Sequence, residues 1–201
     1  MKLEIQNITK HFGGIQALDG VSLEIGSDEL IGVIGPNGAG KTTFVNTVTG
    51  FHIPTSGKLI LNGQDITALK PNEVAKRGIG RTFQVTRAFR RMTVMENMLV
   101  PALAMSADAK REKEIDHARE VLNFLGMDHL RDDYARSLSG GQQKLLELAQ
   151  LLMTEPALLL LDEPFAGVHP KLMETIFEYI QTVHARGISF LIISHDMSSI
   201  F

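Results

Sequence analysis

The run Gly35-Pro36-Asn37-Gly38-Ala39-Gly40-Lys41-Thr42 constrains this chain more than any other segment. It fits the pattern G-x-x-x-x-G-K-[ST], and its flanks are the ones that pattern requires. Before it, Leu30 to Ile34 is apolar except for Gly32, which predicts a buried strand. After it, Phe44 to Val48 continues at helical spacing, with a stop at Gly50. In such a loop the glycines let successive backbone N–H groups curl around the β- and γ-phosphates of a nucleotide. The N-terminus of the following helix adds a partial positive charge. Lys41 would reach the terminal phosphates, Thr42 would place its hydroxyl on Mg²⁺, and Thr43 completes the contact set. A glycine-rich turn that merely joins a strand to a helix is the plain alternative. The full pattern in its context outweighs it.

The rest of the chain reads as α/β. Lys2 to Ile8 predicts a strand, Val21, Leu23 and Ile25 alternate cleanly, and Lys58 to Leu61 is closed by the turn pair Asn62-Gly63. From Val94 to about Met153 the strand signals fade. Ile115, Ala118, Leu122 and Leu125 form one helical stripe, ended by Gly126, and Leu145, Leu148, Leu151 and Leu152 form another. This middle block predicts a helical insertion. Ala157 to Leu161 and Phe190 to Ile193 are apolar strands that end at Asp162-Glu163 and at Ser194-His195. Between them Leu172, Ile176, Tyr179, Ile180 and Val183 line one helix face. Apolar strands alternating with helices predict a parallel sheet buried on both faces, with ligands at the carboxyl ends of its strands.

Composition removes several classes. In 201 residues there is no cysteine, which excludes disulfides, thiol catalysis and Cys-based zinc sites. The net charge of −3 gives no overall field for nucleic acid. No stretch approaches the roughly 18 apolar residues of a membrane span, so any membrane role runs through a partner. The N-terminus MKLEIQNITK lacks the apolar core of a signal peptide. His52, His117 and His184 show no metal-ligand spacing and are expected at the surface.

The second acidic site narrows the chemistry. An Asp at the end of a hydrophobic strand can hold a Mg²⁺ shell, so Asp162 is assigned there. The adjacent Glu163 is placed to orient or deprotonate an attacking water. The phosphate loop alone leaves kinases, GTPases and transporter ATPases open. Leu138-Ser139-Gly140-Gly141-Gln142, lying between the loop and the acidic pair, decides among them. Ser139 and the Gly140 and Gly141 amides sit at a helix start and form a second phosphate-binding terminus.

With LSGGQ the chain resembles the ABC (ATP-binding cassette) family, over essentially its whole length. The resemblance implies an α/β P-loop NTPase fold, with a RecA-like parallel sheet core, N-terminal antiparallel strands and an ABC-type helical insertion. It implies one domain over residues 1–201, with 1–84 and 156–201 as the nucleotide-binding core and 85–155 as the helical subdomain. The implied ligands are ATP and Mg²⁺, and the implied activity is ATP hydrolysis. In the family the signature residues Ser139, Gly140, Gly141 and Gln142 contact ATP held by the opposite subunit, so a dimer with two ATP molecules is implied. Gln84, in RTFQ, resembles the glutamine that touches Mg²⁺ and water, and His195, in LIISHD, resembles the histidine that senses the γ-phosphate. Phe12, in KHFGG, resembles the aromatic that stacks on adenine. One departure is His169, in AGVHP, where most members carry an Asp that helps couple the two nucleotide sites.

Within the family the chain is similar to the ATPases of branched-chain amino acid importers. FGGIQALDGVSLEI, Val48-Thr49-Gly50-Phe51, GIGRTFQ, MTVMENM and AGVHP carry that similarity. It implies a second ATPase subunit, identical or paralogous, polytopic permease subunits, a solute-binding protein, and a place on the inner face of the cell membrane. An importer of another small polar solute and a soluble non-transport member, in translation or DNA repair, are the alternatives. Paired cassettes or a long coiled-coil insertion, as soluble members carry, do not fit in 201 residues. Phe89, Met92, Met95 and Met98, with Arg87, Arg90 and Arg91 among them, suit an adaptable groove for a permease helix. The opposing reading packs the apolar ones in the helical block and leaves the arginines solvated. Relatives continue past the equivalent of Phe201 with further strands and helices. The expectation is therefore a chain truncated at its C-terminus, with Leu191 to Ile193, Met197, Ile200 and Phe201 lacking cover.

Overall fold

The computed structural model describes residues 1–82, 88–105, 111–166 and 168–194. They fall into two compact units. Of the described residues, the first holds Met1–Arg81, Ala157–Pro164 and 182–194. In it β1 (Leu3–Phe12) pairs antiparallel with β2 (Ile15–Ile25) on one side and β4 (Ser56–Leu61) on the other, and β4 pairs with the short β5 (Gln64–Asp65). The β4–β5 turn is Asn62-Gly63, with both residues at positive φ (49° and 79°), the geometry that tightly joins twisted antiparallel strands. The β1–β2 register shifts around Asn7, itself at φ 51°, so a bulge lets the ribbon run on past the predicted Ile8 to Phe12.

The second sheet of this unit is wholly parallel, in the order β3 (Leu30–Ile34), β8 (Ser189–Ser194), β7 (Leu158–Asp162), β6 (Ile79–Arg81). Every residue of β7 and β8 is buried, as their unbroken apolar runs require, so Leu191 to Ile193, expected to lack cover, have it between β3 and β7; Met197, Ile200 and Phe201 lie outside the described residues. A second expectation fails here. β3 was predicted buried, but among the described strands it has only β8 beside it, and Leu30 and Ile34 are 36% and 39% exposed. An apolar run does not say whether a strand sits at the centre or the edge of its sheet. The helix α1 (Lys41–Val48) contacts β2 and β7, and its Phe44, Val45 and Val48 join one core with Leu3, Ile5 and Leu59 of the first sheet and Leu158, Leu160 and Ile193 of the second. The short helix α2 (Pro71–Ala75) precedes β6.

The second unit is helical: Thr82–Pro156 with Phe165–Gln181. It contains α3 (Val94–Met105), α4 (Arg111–Phe124), α5 (Gly140–Leu152) and most of α6 (Pro170–His184). Ala118 and Leu122 of α4 and Leu145 and Leu148 of α5 are buried, and Gly126 at φ 66° follows α4 as its predicted stop. The segment Phe165–Gln181, which sequence reading placed with the core, groups with the helices because the Tyr179 hydroxyl donates to the Leu125 carbonyl at 3.0 Å and Lys144 Nζ to the Ala166 carbonyl at 2.7 Å.

Asn97, fully buried at 0% exposure, is the polar centre of this unit. Its Oδ1 accepts the Phe89 N–H at 2.8 Å, and its Nδ2 faces the carbonyls of Phe89 (3.1 Å), Met92 (3.4 Å) and Thr93 (2.8 Å). Gln150 of α5 donates to its main-chain carbonyl at 3.0 Å. Thr93 and Glu96 cap the start of α3 reciprocally. Met98, read from the sequence as part of a docking stripe, is fully buried core, whereas Phe89 is 50% exposed and Met92 and Met95 are half-buried.

Candidate functional site

Because β3, β6, β7 and β8 run the same way, their carboxyl ends lie at one end of the sheet. Each leads into a segment singled out from the sequence: residues 35–42, residues 82–87, Asp162-Glu163 and residue 195. Ligands of open parallel sheets bind at that end. Gln84 and His195 lie outside the described residues.

In the loop after β3, Gly38 and Gly40 are left-handed, at φ 85° and 86°. The two positions differ. A Cβ on Gly40 would stand 2.3 Å from the Ala17 carbonyl oxygen of β2, while one on Gly38 would meet nothing within 4 Å. Gly40 therefore lets the loop pass β2, and Gly38 borders open space. Gly40 also supplies no side-chain oxygen to the start of α1, whose first N–H groups are left without a side-chain cap. Those donors and the helix dipole favour an anion. Lys41 Nζ donates to the carbonyls of Gly35 (2.6 Å) and Pro36 (3.0 Å), so its ammonium lies across the loop.

Asp162, 3% exposed, ends β7. Burial pushes its carboxyl above the usual carboxylate value, and neighbouring Glu163 adds to the rise; Arg81, Lys41 and the nearby Thr42 hydroxyl act the other way. Thr42 thus lies close enough to act on Asp162, and the two offer a hydroxyl and a carboxylate of the oxygen type that Mg²⁺ takes. The donor set fits the ion. Glu163 is half-buried and sits at φ 53°, its N–H held by the Ile193 carbonyl at 2.9 Å. That backbone breaks the strand's alternation at the second carboxylate, at a cost of about 1–3 kcal/mol.

Sequence reasoning missed Arg81. Its Nη1 donates to Asn46 Oδ1 (2.6 Å) and Thr49 Oγ1 (3.1 Å), and its guanidinium lies 5.0 Å from the Phe51 ring centroid. It ties the end of β6 to the last turn of α1 beside Asp162. Phe12 sits at the tip of the β1–β2 hairpin, paired with Ile15 across Gly13-Gly14, and is 43% exposed. His52 was expected at the surface; instead it is half-buried, with its ring in T-shaped contact with Phe12 at 5.2 Å. His184 is half-buried as well, its Nδ1 3.0 Å from the Ile188 carbonyl.

In the helical unit, Ser139 caps α5. Its Oγ accepts the Gln142 N–H at 3.3 Å, and Gln142 Oε1 accepts the Ser139 N–H at 2.9 Å. Ser139 and Gly140 are exposed, and a Cβ on Gly140 would meet nothing within 4 Å. The serine hydroxyl accepts in this box and still has its own proton to donate. Among the described residues no three His, Asp or Glu side chains gather to hold a metal, and no helix is long and apolar enough to cross a membrane.

A phosphate loop and a buried acidic strand end on a parallel sheet define a P-loop nucleotide hydrolase. The family described as ABC transporter matches residues 18–166. The probable branched-chain amino acid transport ATP-binding protein LivG of Archaeoglobus fulgidus is 42% identical over 205 residues, 97% of this chain and 80% of that protein. The lipopolysaccharide export system ATP-binding protein LptB of Haemophilus influenzae is 36% identical over 195 residues, again 97% and 80%. The solved ADP conformation of MJ1267, an ATP-binding cassette of an ABC transporter, matches with a TM-score of 0.90 at 40% identity, covering 100% of this chain and 84% of that one. The chain belongs to the ABC transporter family, as an ATP-hydrolysing cassette.

Proposed function

We propose that this cassette pairs with a second one, identical or paralogous, and drives a membrane permease that imports branched-chain amino acids. The observation that carries the pairing is the presence in one chain of two helix starts suited to phosphate, the uncapped α1 and the exposed Ser139-Gly140 start of α5. A phosphate loop and a signature helix from opposite subunits would share each of two ATP molecules. The loop amides of residues 35–43 and Lys41 hold the β- and γ-phosphates, and Phe12 stacks on adenine. Thr42, Asp162 and Gln84 hold Mg²⁺, whose charge offsets that of the phosphates. Glu163 orients the attacking water or takes its proton, and His195 senses the γ-phosphate. The cassette works at the inner face of the membrane, a solute-binding protein delivers the solute to the permease, and no nucleic acid is involved.

The name of the archaeal relative supports the cargo. The docking surface is the loop at 88–93. It presents exposed Phe89, Arg90 and Arg91 and half-buried Met92, and backbone hydrogen bonds from Arg136 to Arg90 and from Ala135 to Met92 brace it. Arg87 lies outside the described residues.

Purification from native membranes, followed by reconstitution in proteoliposomes, tests the proposal. A polytopic partner should co-purify, and ATP should drive uptake of labelled leucine, isoleucine or valine. Uptake of another solute, or capture with a lipopolysaccharide exporter, overturns the cargo. Failure to find any membrane partner overturns the coupling. In the reconstituted complex, Phe89→Glu should uncouple ATP turnover from transport while the isolated subunit still binds ATP. Unaltered transport removes Phe89 from the docking surface.

A further inference from the structure

Phe12 has little packing of its own. It stands at the tip of a two-residue turn whose glycines, Gly13 and Gly14, would meet nothing within 4 Å even if given a Cβ. Its ring is held from elsewhere in the chain. Lys10 Nζ lies 5.1 Å from the ring centroid and donates to the Ile53 carbonyl at 2.6 Å. His52 meets the ring at 5.2 Å with an interplanar angle of 78°, an edge contact of the favoured kind.

His52 is itself fixed by Asn46. The Asn46 main-chain carbonyl accepts the N–H groups of Phe51 (2.8 Å) and His52 (3.1 Å). Its side-chain oxygen accepts from Arg81 at 2.6 Å. A guanidinium can only donate, so the amide oxygen must face Arg81, and Nδ2 is turned toward His52 Nε2 at 3.5 Å, the long end of the hydrogen-bonding range. An amide NH₂ can only donate, so Nε2 is the acceptor in this contact. The ring that touches Phe12 is thereby tied to α1, the helix whose first turn carries the phosphate loop.

We infer that His52 is the positioning residue for Phe12, and that with Lys10 and Asn46 it sets the affinity of this site for the nucleobase. The inference rests on the assignment of Phe12 to the base. A hairpin-tip ring that must be ordered when the nucleotide arrives binds it less tightly than one already in place. His52 therefore acts on the base end alone and leaves the phosphate contacts as they are.

Titration of the full chain with Mg-ATP, and separately with inorganic tripolyphosphate, reads the two ends apart. His52→Ala keeps the backbone hydrogen bond to Asn46. It should weaken ATP about three- to tenfold, the scale of one aromatic edge contact, raise KM by the same factor and leave kcat and tripolyphosphate affinity where they were. His52→Phe should restore ATP affinity. The double variant Phe12→Ala/His52→Ala should bind ATP no more weakly than Phe12→Ala alone. Unchanged ATP affinity in His52→Ala, an equal loss for tripolyphosphate, or failure of His52→Phe to restore binding overturns the inference. Phe12→Ala separates the two claims. If it binds ATP normally, the assignment of the base site falls; if it binds weakly while His52→Ala binds normally, only the role of His52 falls.

Discussion

Two helices of this chain begin at glycines, and they begin differently. The start of α1 follows a left-handed Gly40 and has no side-chain cap. The start of α5 is closed by the reciprocal Ser139 and Gln142 hydrogen bonds. Four N–H groups at any helix start need partners. At α1 no side chain supplies one, which leaves that end open to water or to an anion such as the proposed nucleotide. At α5 the Ser139 hydroxyl supplies one of them, for the Gln142 N–H, and keeps its own proton to offer a ligand. Nucleotide should accordingly stabilise the isolated chain through α1, by about 1.4 kcal/mol at ten times its Kd. The signature end should gain its ligand only when a second chain brings one.

The strongest way to break this division is to stop hydrolysis without touching either helix start. Glu163→Gln should slow turnover about 10²- to 10⁴-fold while ATP still binds. An ATP-bound dimer should then accumulate, as read by sizing with and without ATP. Near-normal turnover would remove Glu163 from the chemistry.

The glycines provide the next contrast. Gly40→Ala meets the Ala17 carbonyl and carries a disfavoured φ, so it should lose stability by about 1–3 kcal/mol or more and lose nucleotide binding with it. Gly140→Ala has open space around its Cβ, so its melting temperature should match or exceed that of the parent, while ATP-driven dimerisation weakens as the methyl blocks the phosphate's approach. Equal melting of the two variants would erase the distinction between the two ends.

A smaller effect separates cap from ligand at α5. Ser139→Ala should cost about 1 kcal/mol of stability by thermal or urea unfolding. Ser139→Asp should keep the cap, and the melting temperature, yet abolish ATP-driven dimerisation through repulsion of the incoming phosphate. If the aspartate variant dimerises normally, Ser139 is a cap and nothing more.

The smallest expected effect lies at Asp162. Its carboxyl sits above the ordinary value of 3.8, chiefly through burial. The folded state therefore holds this proton more tightly than the unfolded chain. The resulting stability is fully present below 3.8 and is lost as pH rises through the raised folded value. Asp162→Asn should remove that slope and raise the thermal midpoint of the nucleotide-free protein by about a degree or two at neutral pH. A steeper slope in the variant would contradict the burial argument.

The contiguous parts of the site were legible in the sequence because their chemistry is local. Gly35 to Thr42 needs only its own glycines and the helix behind it, and Ser139 with Gln142 is a cap written within four residues. Asn62-Gly63 likewise announces its own turn. What the sequence hid depends on distant pairing. β3 reads as buried from its composition, yet its exposure follows from which strand lies beside it. Arg81 gains its role from Asn46 and Thr49, 35 and 32 residues away, and no spacing rule links them. His52 gave no signal because a lone histidine beyond a helix looks like any surface histidine. Met98 belongs to the core because α3 turns it inward, while Phe89, in the loop before α3, stays outside.

Asn97 gives the loop at 88–93 a mechanical property. A part that transmits a push must deform less than what it pushes against, or the work is spent in bending the part. A loop held only at its two ends would yield like a spring. This one is also fastened in between: a single buried amide bonds to Phe89 on both its N–H and its carbonyl and holds the carbonyls of Met92 and Thr93, and the Arg90 carbonyl accepts the Arg136 N–H. Gln150 fastens Asn97 to α5, the helix that opens with Ser139. If the proposed partner rests against Phe89, a displacement of α5 would reach it through a stiff linkage instead of a compliant one.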